Sequence, residues 1–183
     1  MSDYIVVLVG SSRKNGNTEI LADTFIAGAF SSGNKIKKIC LSEKKVLPCT
    51  DCKYCYRNDG VCILQDDMKN IYKELMKADL IVFASPVYFY GFSAQMKCCI
   101  DRLHNPIRKK FNIKYSALLS VCADEGQEVF KPMSDTYQAM IQYLGWKDIG
   151  HILIDGIEDK GTIVGHANLK DAEILGKNYH DYV

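Results

Sequence analysis

The chain has 183 residues, of which 48% are hydrophobic and 25% charged, and its formal net charge is +1. The length suits one well-packed domain, and the near-neutral charge excludes electrostatic attraction as a reason to bind nucleic acid or an anionic membrane. No apolar run approaches the roughly 20 residues that span a bilayer, and the N-terminus lacks the basic segment of a signal peptide. We therefore expect a cytoplasmic protein with a single domain over residues 1–183.

Continuous apolar runs alternate along the chain with segments of helical periodicity. The runs predict strands at Tyr4–Gly10, Lys35–Cys40, Leu80–Ser85, Tyr115–Ala123 and Gly150–Ile154. The periodic segments predict helices at Thr18–Ser31, Asp66–Lys77, Ser93–Leu103, Val129–Leu144 and Asn168–Tyr179. This alternation predicts an α/β fold, with a doubly wound five-stranded parallel sheet in three α/β/α layers. Right-handed crossovers favour the flavodoxin-like strand order 2-1-3-4-5, which places a ligand at the carboxyl ends of the first, third and fourth strands.

The loop at residues 10–18 connects the first strand to the first helix and is rich in polar side chains. A helix N-terminus offers free N–H groups and a positive dipole end to an anion. The loop contains neither G-x-G-x-x-G nor Gly-Lys-Ser/Thr, which excludes the dinucleotide fingerprint and the nucleoside-triphosphate P-loop. The alternative to a phosphate site is an ordinary turn with a helix N-cap. The residues that suit a phosphate monoester such as that of FMN are Ser11, Ser12, Arg13, Asn17 and Thr18.

An aromatic stretch follows the third strand. Its rings can stack on a planar ligand, and its backbone N–H groups can bond the polar edge of that ligand. The alternative is that these aromatics are buried in the core or in a dimer interface. Their position at the carboxyl end of a strand favours the ligand. The stretch comprises Ser85, Pro86, Val87, Tyr88, Phe89, Tyr90 and Gly91.

The chain has eight cysteines, which in a reducing compartment are thiols or metal ligands rather than disulfides. Four of them form the pattern C-x2-C-x2-C-x6-C within the long connection at residues 41–65: Cys49, Cys52, Cys55 and Cys62. Zinc sites more often use two separated pairs, whereas this compact run is typical of the ligands of a [4Fe–4S] cluster. The alternative is a thiol-lined interface loop. For Cys40 and Cys99 we expect packing roles. Cys122 lies at the end of the fourth strand, where the alternatives are packing, which is favoured, and contact with the ligand.

Two of these motifs together resemble a known family. The segments 10–18 and 85–91, the second followed by Ser93–Lys97 and Ile100–Arg102, resemble the phosphate and isoalloxazine loops of the NAD(P)H-dependent FMN reductase-like flavoproteins. The segment Cys49–Cys62 resembles the cysteine segment of the iron–sulfur flavoproteins in that family. The likeness runs from about residue 4 to about residue 104, and the last predicted helix also fits.

The resemblance implies roles for individual residues. It implies that Ser11, Arg13, Asn17 and Thr18 hold the FMN phosphate, and that the residues lining the flavin ring are Pro86, Val87, Tyr88, Phe89, Tyr90 and Gly91. It also implies a homodimer or tetramer with the flavin near a subunit interface. Asp101 and Arg102 are adjacent on a helix and do not face each other, so we expect them to serve packing or an interface rather than catalysis.

Together these observations predict an FMN-binding, NAD(P)H-dependent oxidoreductase that passes electrons from a nicotinamide through the flavin to a small-molecule or protein acceptor. Because the cofactor carries the chemistry, we expect no dedicated acid–base residue. Two alternatives stay open. One is an iron–sulfur flavoprotein that carries electrons between protein partners through a [4Fe–4S] cluster, and the other is a non-catalytic flavin-binding redox module.

Overall fold

A parallel sheet organises the chain, and the computed structural model describes it for residues 2–182. The strands are β1 (Tyr4–Val9), β2 (Lys35–Cys40), β3 (Leu80–Tyr88), β4 (Gly91–Phe92), β5 (Tyr115–Val121) and β6 (Lys147–Ile154). The helices are α1 (Asn17–Ser31), α2 (Tyr54–Arg57), α3 (Met68–Leu75), α4 (Ala94–Arg102), α5 (Lys131–Leu144) and α6 (Asn168–Asn178). Short 3-10 turns lie at Leu41–Glu43, Pro106–Lys110, Gln127–Phe130 and Tyr179–Tyr182.

The five long strands are parallel and lie in the order β2-β1-β3-β5-β6. Numbered along the chain without the two-residue β4, this is the order 2-1-3-4-5, so the predicted flavodoxin-like fold is confirmed. The central strand β1 is buried from Ile5 to Val9. Both of its faces are covered by helices, which is why its sequence is continuously apolar rather than alternating.

Alternate residues of the central strands face two separate cores. Val6 and Leu8 pack with α3, α4 and α5 on one face, while Ile5 and Val7 pack with α1 and α6 on the other. No helix within residues 2–182 is long and apolar enough to cross a membrane.

Helices α1 and α6 touch through their backbones. A Cβ atom added at Gly28 would lie 2.0 Å from the carbonyl oxygen of Glu173, and one added at Gly176 would lie 2.2 Å from that of Phe25. Only glycine fits at either position, and the first helix of the chain is thereby packed directly onto the last.

The structure differs from the sequence prediction mainly at β3, where a loop was expected from Pro86 onwards. The strand continues instead to Tyr88 and turns back into β4. Pro86 fits there because β1 ends its pairing opposite Ala84, which leaves one side of β3 without a partner that needs the missing N–H group. The 41–65 connection also contains the one-turn helix α2, and β6 begins three residues before Gly150.

Candidate functional site

The loops that follow β1, β3 and β5 meet at the carboxyl edge of the sheet and enclose an open cleft of about 200 Å³. This is the edge at which ligands bind in sheets of this topology. The residues that line the cleft are Ser11, Arg13, Asn17, Thr18, Pro86, Val87, Tyr88, Val121, Cys122, Ala123, Ile157 and Glu158.

The loop after β1 presents the N-terminus of α1 to this cleft. Its turn closes where the Gly16 N–H donates to the Arg13 carbonyl at 2.9 Å, and a Cβ at Gly16 would lie only 2.8 Å from that oxygen. Gly16 is the N-cap of α1 and supplies no side-chain cap. The first N–H groups of a 15-residue helix therefore point toward the cleft beside the buried residues Ser11 and Thr18, an arrangement that suits an anion.

Two predicted phosphate ligands also hold a second loop in place. The Arg13 guanidinium donates from Nη1 to the Glu158 carbonyl at 3.1 Å. The Asn17 amide donates from Nδ2 to the Asp159 carbonyl at 2.7 Å and accepts from the Gly161 N–H at 2.8 Å. The connection before α6 therefore forms one wall of the cleft, through Ile157 and Glu158. The sequence did not predict this role, because glycine content was the only notable feature of the connection.

Three buried serines fasten the sheet edge together. The Ser93 hydroxyl donates to the Gly10 carbonyl at 2.6 Å, and the Ser93 N–H donates to the Ser85 hydroxyl at 3.1 Å. The Ser120 hydroxyl donates to the Ser85 carbonyl at 2.7 Å. Ser93 is also the N-cap of α4, and its hydroxyl accepts from the Met96 N–H. Because these hydroxyls are fully buried, they hold the ends of β1, β3 and β5 at fixed separations.

Five predicted site residues lie outside the lining of the cleft: Ser12, Ser85, Phe89, Tyr90 and Gly91. The side chain of Ser85 is buried in the serine network, and Ser12 is exposed. Phe89 and Tyr90 form the tip of the β3–β4 hairpin, where their φ angles of 47° and 65° lie in the left-handed region. Phe89 is 98% exposed. Such a backbone costs on the order of 1 kcal/mol per residue.

The loop after β5 completes the cleft with residues that sequence reasoning treated as packing or passed over. Cys122 donates its N–H to the Ile154 carbonyl at 3.0 Å and accepts at its carbonyl from the Ile157 N–H at 2.8 Å. Burial raises the pKa of the Cys122 thiol, which keeps it protonated and a poor nucleophile. The predicted strand order had placed the end of the fourth long strand at the ligand edge, although it did not single out these residues as ligands.

The four cysteines of the compact run line a second cleft, of about 40 Å³, together with Arg102 and His104. Cys49 and Cys52 are exposed, and Cys55 and Cys62 are half-buried. No three Cys, His, Asp or Glu side chains in the described part of the chain stand in a metal-binding arrangement. The structure thus brings the four thiols to one cleft without confirming the predicted cluster.

The cysteine segment is fastened at its two ends by adjacent carboxylates. Asp66 accepts the Leu47 N–H at 2.8 Å and forms an ion pair with Arg102, and both of these charged side chains are almost wholly buried. Asp67 accepts the Lys45 N–H at 2.8 Å. Burial acts to lower the pKa of Arg102, but the hydrogen bond to Asp66 outweighs it and raises that pKa.

Residues 4–152 match the family model described as NADPH-dependent FMN reductase. The chain belongs to the NADPH-dependent FMN reductase family. The predicted class of function, an NAD(P)H-dependent flavin oxidoreductase that uses FMN, is thereby confirmed. The identities of the residues that bind the cofactor stay predictions.

Curated relatives carry two kinds of name. An iron-sulfur flavoprotein of Archaeoglobus fulgidus is 31% identical over 175 residues, which are 93% of this chain and 76% of that protein. An iron-sulfur flavoprotein of Methanosarcina thermophila is 35% identical over 119 residues, 64% of this chain and 62% of that protein. YwqN of Bacillus subtilis, named as an NAD(P)H-dependent FMN-containing oxidoreductase, is 24% identical over 181 residues, 94% of this chain and 96% of that protein.

Solved structures share the fold. An NAD(P)H:quinone oxidoreductase from Methanothermobacter marburgensis superposes with a TM-score of 0.78 at 16% identity, over 97% of this chain and 96% of that one. An azoreductase from Bacillus anthracis superposes with a TM-score of 0.73 at 15% identity, over 97% and 99%. At these identities the neighbours support the flavodoxin-like fold and carry no argument about substrate.

Proposed function

We propose that the cleft at the carboxyl edge of the sheet is the FMN site of this oxidoreductase. The proposal depends on one observation: the uncapped N-terminus of α1, the buried residues Ser11 and Thr18, and the end of β3 all lie in one cleft. Ser11, Arg13 and Thr18 would hold the phosphate, and Pro86–Tyr88 at the end of β3 would line the flavin ring. Asn17 contributes by holding the loop before α6, and Ser12, Phe89, Tyr90 and Gly91 stay sequence-based predictions.

When bound, the flavin accepts a hydride from NAD(P)H and passes the electrons to an acceptor. The residues of the chain bind and orient the cofactor. The guanidinium of Arg13 and the N-terminus of α1 balance the phosphate charge, while the half-exposed ring of Tyr88 supplies an apolar face. The serine network keeps these parts at fixed distances, so the cleft is largely formed before the cofactor arrives.

The direct test is to titrate FMN into flavin-free protein and to follow flavin fluorescence, and then to measure oxidation of NADH and NADPH with a quinone and with a one-electron protein acceptor. We expect stoichiometric binding and turnover with at least one acceptor. Failure to bind added FMN would overturn the site. Binding without turnover against any acceptor would favour the non-catalytic redox module.

We also propose that Cys49, Cys52, Cys55 and Cys62 hold a [4Fe–4S] cluster. The observation that favours this is that all four thiols line one cleft, and soft thiolate sulfur is the donor that such clusters require. When bound, the cluster exchanges single electrons. Such exposed thiols persist in a reducing compartment, which supports a cytoplasmic location.

Iron and sulfide assays on protein purified without oxygen test the cluster. We expect about four irons per chain, with a broad absorption shoulder beside the flavin bands. Flavin bands without iron, also after anaerobic reconstitution, would make the segment a thiol-lined interface loop.

We further propose that the protein is a homo-oligomer in which the exposed hairpin tip lies against a second copy. Phe89, 98% exposed, and Tyr90, 54% exposed, sit beside the cleft in a strained turn that burial in an interface would stabilise. Light scattering on the wild type and on Phe89→Ser tests this. An unchanged mass would separate the tip from the interface.

A further inference from the structure

Arg102 is a buried cation whose hydrogen bonds are incomplete. Its side chain is 2% exposed, and Nη1 donates to Asp66 and, at 3.3 Å, to the Leu47 carbonyl. Nη2 is buried and has no hydrogen-bond partner in the part of the chain that the structure describes. A buried guanidinium N–H without an acceptor costs on the order of 1–3 kcal/mol, so the group calls for an explanation.

The surroundings of Arg102 show where such an acceptor would come from. Arg102 and Cys62 together line the cysteine cleft and also the adjoining apolar cavity of about 230 Å³. Asp66 is not among the lining residues of either space. Arg102 therefore lies beside both spaces, whereas its partner Asp66 lines neither.

The other basic side chains that line the cleft are exposed and already have partners. Lys53 lines the cleft, but it is exposed and paired with Asp51. His104 is exposed and shares a hydrogen bond with Tyr56 at 2.9 Å. Arg102 is the lining cation that is shielded from water, and shielding makes a charge act more strongly on its neighbours.

We propose that Arg102 balances the negative charge of the thiolate-bound group in the cysteine cleft, with Nη2 donating to sulfur of that group. The proposal rests on the proposed cluster. Four thiolates bring more negative charge to the cleft than the iron and sulfide of a cluster offset, and a shielded cation lowers the cost of holding that charge. Arg102 is then a positioning and charge-balancing residue, in place of the packing role that its sequence context suggested.

The test compares two variants that share one background. Each single change breaks a buried ion pair, because Arg102→Gln leaves the Asp66 carboxylate without its partner and Asp66→Asn leaves the Arg102 guanidinium without its counter-charge. Every variant is therefore first shown to be folded by urea unfolding. Asp66→Asn removes that carboxylate and keeps an amide oxygen able to accept the Leu47 N–H. Asp66→Asn and Asp66→Asn/Arg102→Gln are therefore purified without oxygen, reconstituted with iron and sulfide, and titrated with dithionite under electron paramagnetic resonance.

We expect the double variant to have a more negative midpoint potential than Asp66→Asn and to lose iron to a chelator about tenfold faster, as befits one lost hydrogen bond to a charged group. Arg102→Lys, which keeps the charge in an otherwise native chain, should stay near the wild-type potential. Lys97→Gln, an exposed change on the same helix, serves as the control and should change neither quantity.

Equal potentials and equal iron loss in Asp66→Asn and the double variant would overturn the proposal and leave Arg102 a structural residue. A wild type that binds FMN but takes up no iron after reconstitution would overturn the cluster and, with it, this assignment. The two failures can be told apart, because iron is taken up by the wild type in the first case and is absent from it in the second.

Discussion

The cleft proposed for the flavin, called the flavin cleft below, and the cysteine cleft are held in opposite ways. The flavin cleft is built from strand ends joined by fully buried hydroxyls, and Ser85, Ser93 and Ser120 bond one another or the adjacent backbone. The cysteine segment is fastened at its ends, by Asp66 and Asp67, while its middle is exposed. The flavin cleft is therefore formed by the fold itself, whereas the cysteine segment would become fully ordered only when its ligand binds.

The difference follows from where each region lies. The flavin cleft sits on strands that are buried on both faces, so its geometry is part of the global fold. The cysteine segment has left-handed backbone at Asp51, Lys53, Asp59 and Gly60. Its turns lie mostly at the exposed surface and do not pack on either core. Metal binding commonly supplies the folding energy for segments of this kind. Changes in the first region should therefore affect global stability, and changes in the second should stay local.

The largest expected effect is that of Cys55→Ser on the cluster. Loss of one of four thiol ligands should abolish iron binding, while FMN affinity and the free energy of unfolding of the iron-free chain stay within about 0.5 kcal/mol of wild type. Iron assays, FMN titration and urea unfolding measure the three quantities. Cys98→Ser, at a half-buried cysteine outside the cleft, is the control and should keep its iron. A large loss of FMN affinity in Cys55→Ser would contradict the prediction that changes in the cysteine segment leave the flavin cleft unaffected.

Gly10→Ala should produce the next largest effect, in the opposite region. A Cβ there would lie 2.8 Å from both the Ser93 hydroxyl and the Met96 Cβ, so the loop and α4 must separate. We expect a loss of about 2–3 kcal/mol in urea unfolding and a clear loss of FMN affinity, with iron content unchanged. Gly91→Ala is the matched control for stability, because its added Cβ meets its nearest neighbour at 3.9 Å. Similar stabilities for the two variants would contradict the tight packing at Gly10.

Arg13→Ala should weaken FMN binding about tenfold, the usual size for one charge-assisted contact to phosphate, and leave iron uptake unchanged. Arg13 lines the flavin cleft, whereas its exposed neighbour Lys14 does not, so Lys14→Ala is the control. Riboflavin, which lacks the phosphate, should bind both variants equally well. An unaltered FMN affinity in Arg13→Ala would remove the guanidinium from the phosphate site.

The smallest expected effect depends on pH. Burial acts to raise the pKa of Glu19, but the hydrogen bonds from Lys38 at 2.7 Å and from the Asn15 N–H at 2.6 Å outweigh it and lower that pKa. A lowered pKa in the folded state stabilises the fold above the ordinary value near 4.3, and this contribution is lost as the pH falls through the lower value. Glu19→Gln should therefore cost about 1 kcal/mol in urea unfolding at pH 7 and less at pH 3. Equal costs at both pH values would contradict the charge pairing.

The sequence predicted the parts of the flavin site that depend on local order. A buried strand, a polar loop and a helix start placed residues 10–18 at the sheet edge, and the handedness of crossovers brought residues 85–88 beside them. The loop before α6 could not be predicted, because Asn17 reaches Asp159 across 142 positions and only the folded chain reveals that contact. Ser85 was assigned to the ligand because its place in the chain is right, but burial turns its hydroxyl inward.

In the cysteine region, the sequence shows the candidate ligands but not the contacts that hold them. The proposed ligands, four cysteines, are visible in the sequence spacing, but the contacts that hold the segment in place are visible only in the folded chain. Asp101 and Arg102 were expected to serve packing or an interface, but nothing in the sequence indicated the buried ion pair that Arg102 forms with Asp66 from a different element. The periodicity of a helix shows which of its faces is buried. It does not show that Asp66, at the end of the long connection, would pair with Arg102 on that face.

The backbone contact between α1 and α6 also bears on how two distant segments of the chain open and close. The helix that follows the 10–18 loop is covered by residues 168–178, and the glycines at positions 28 and 176 make that covering close. Leu21, Phe25 and Ala29 of α1 lie in the same buried core as Ala172 and Leu175 of α6. Local opening of α6 is therefore expected to loosen α1 as well, and bound FMN should slow amide hydrogen exchange in both helices.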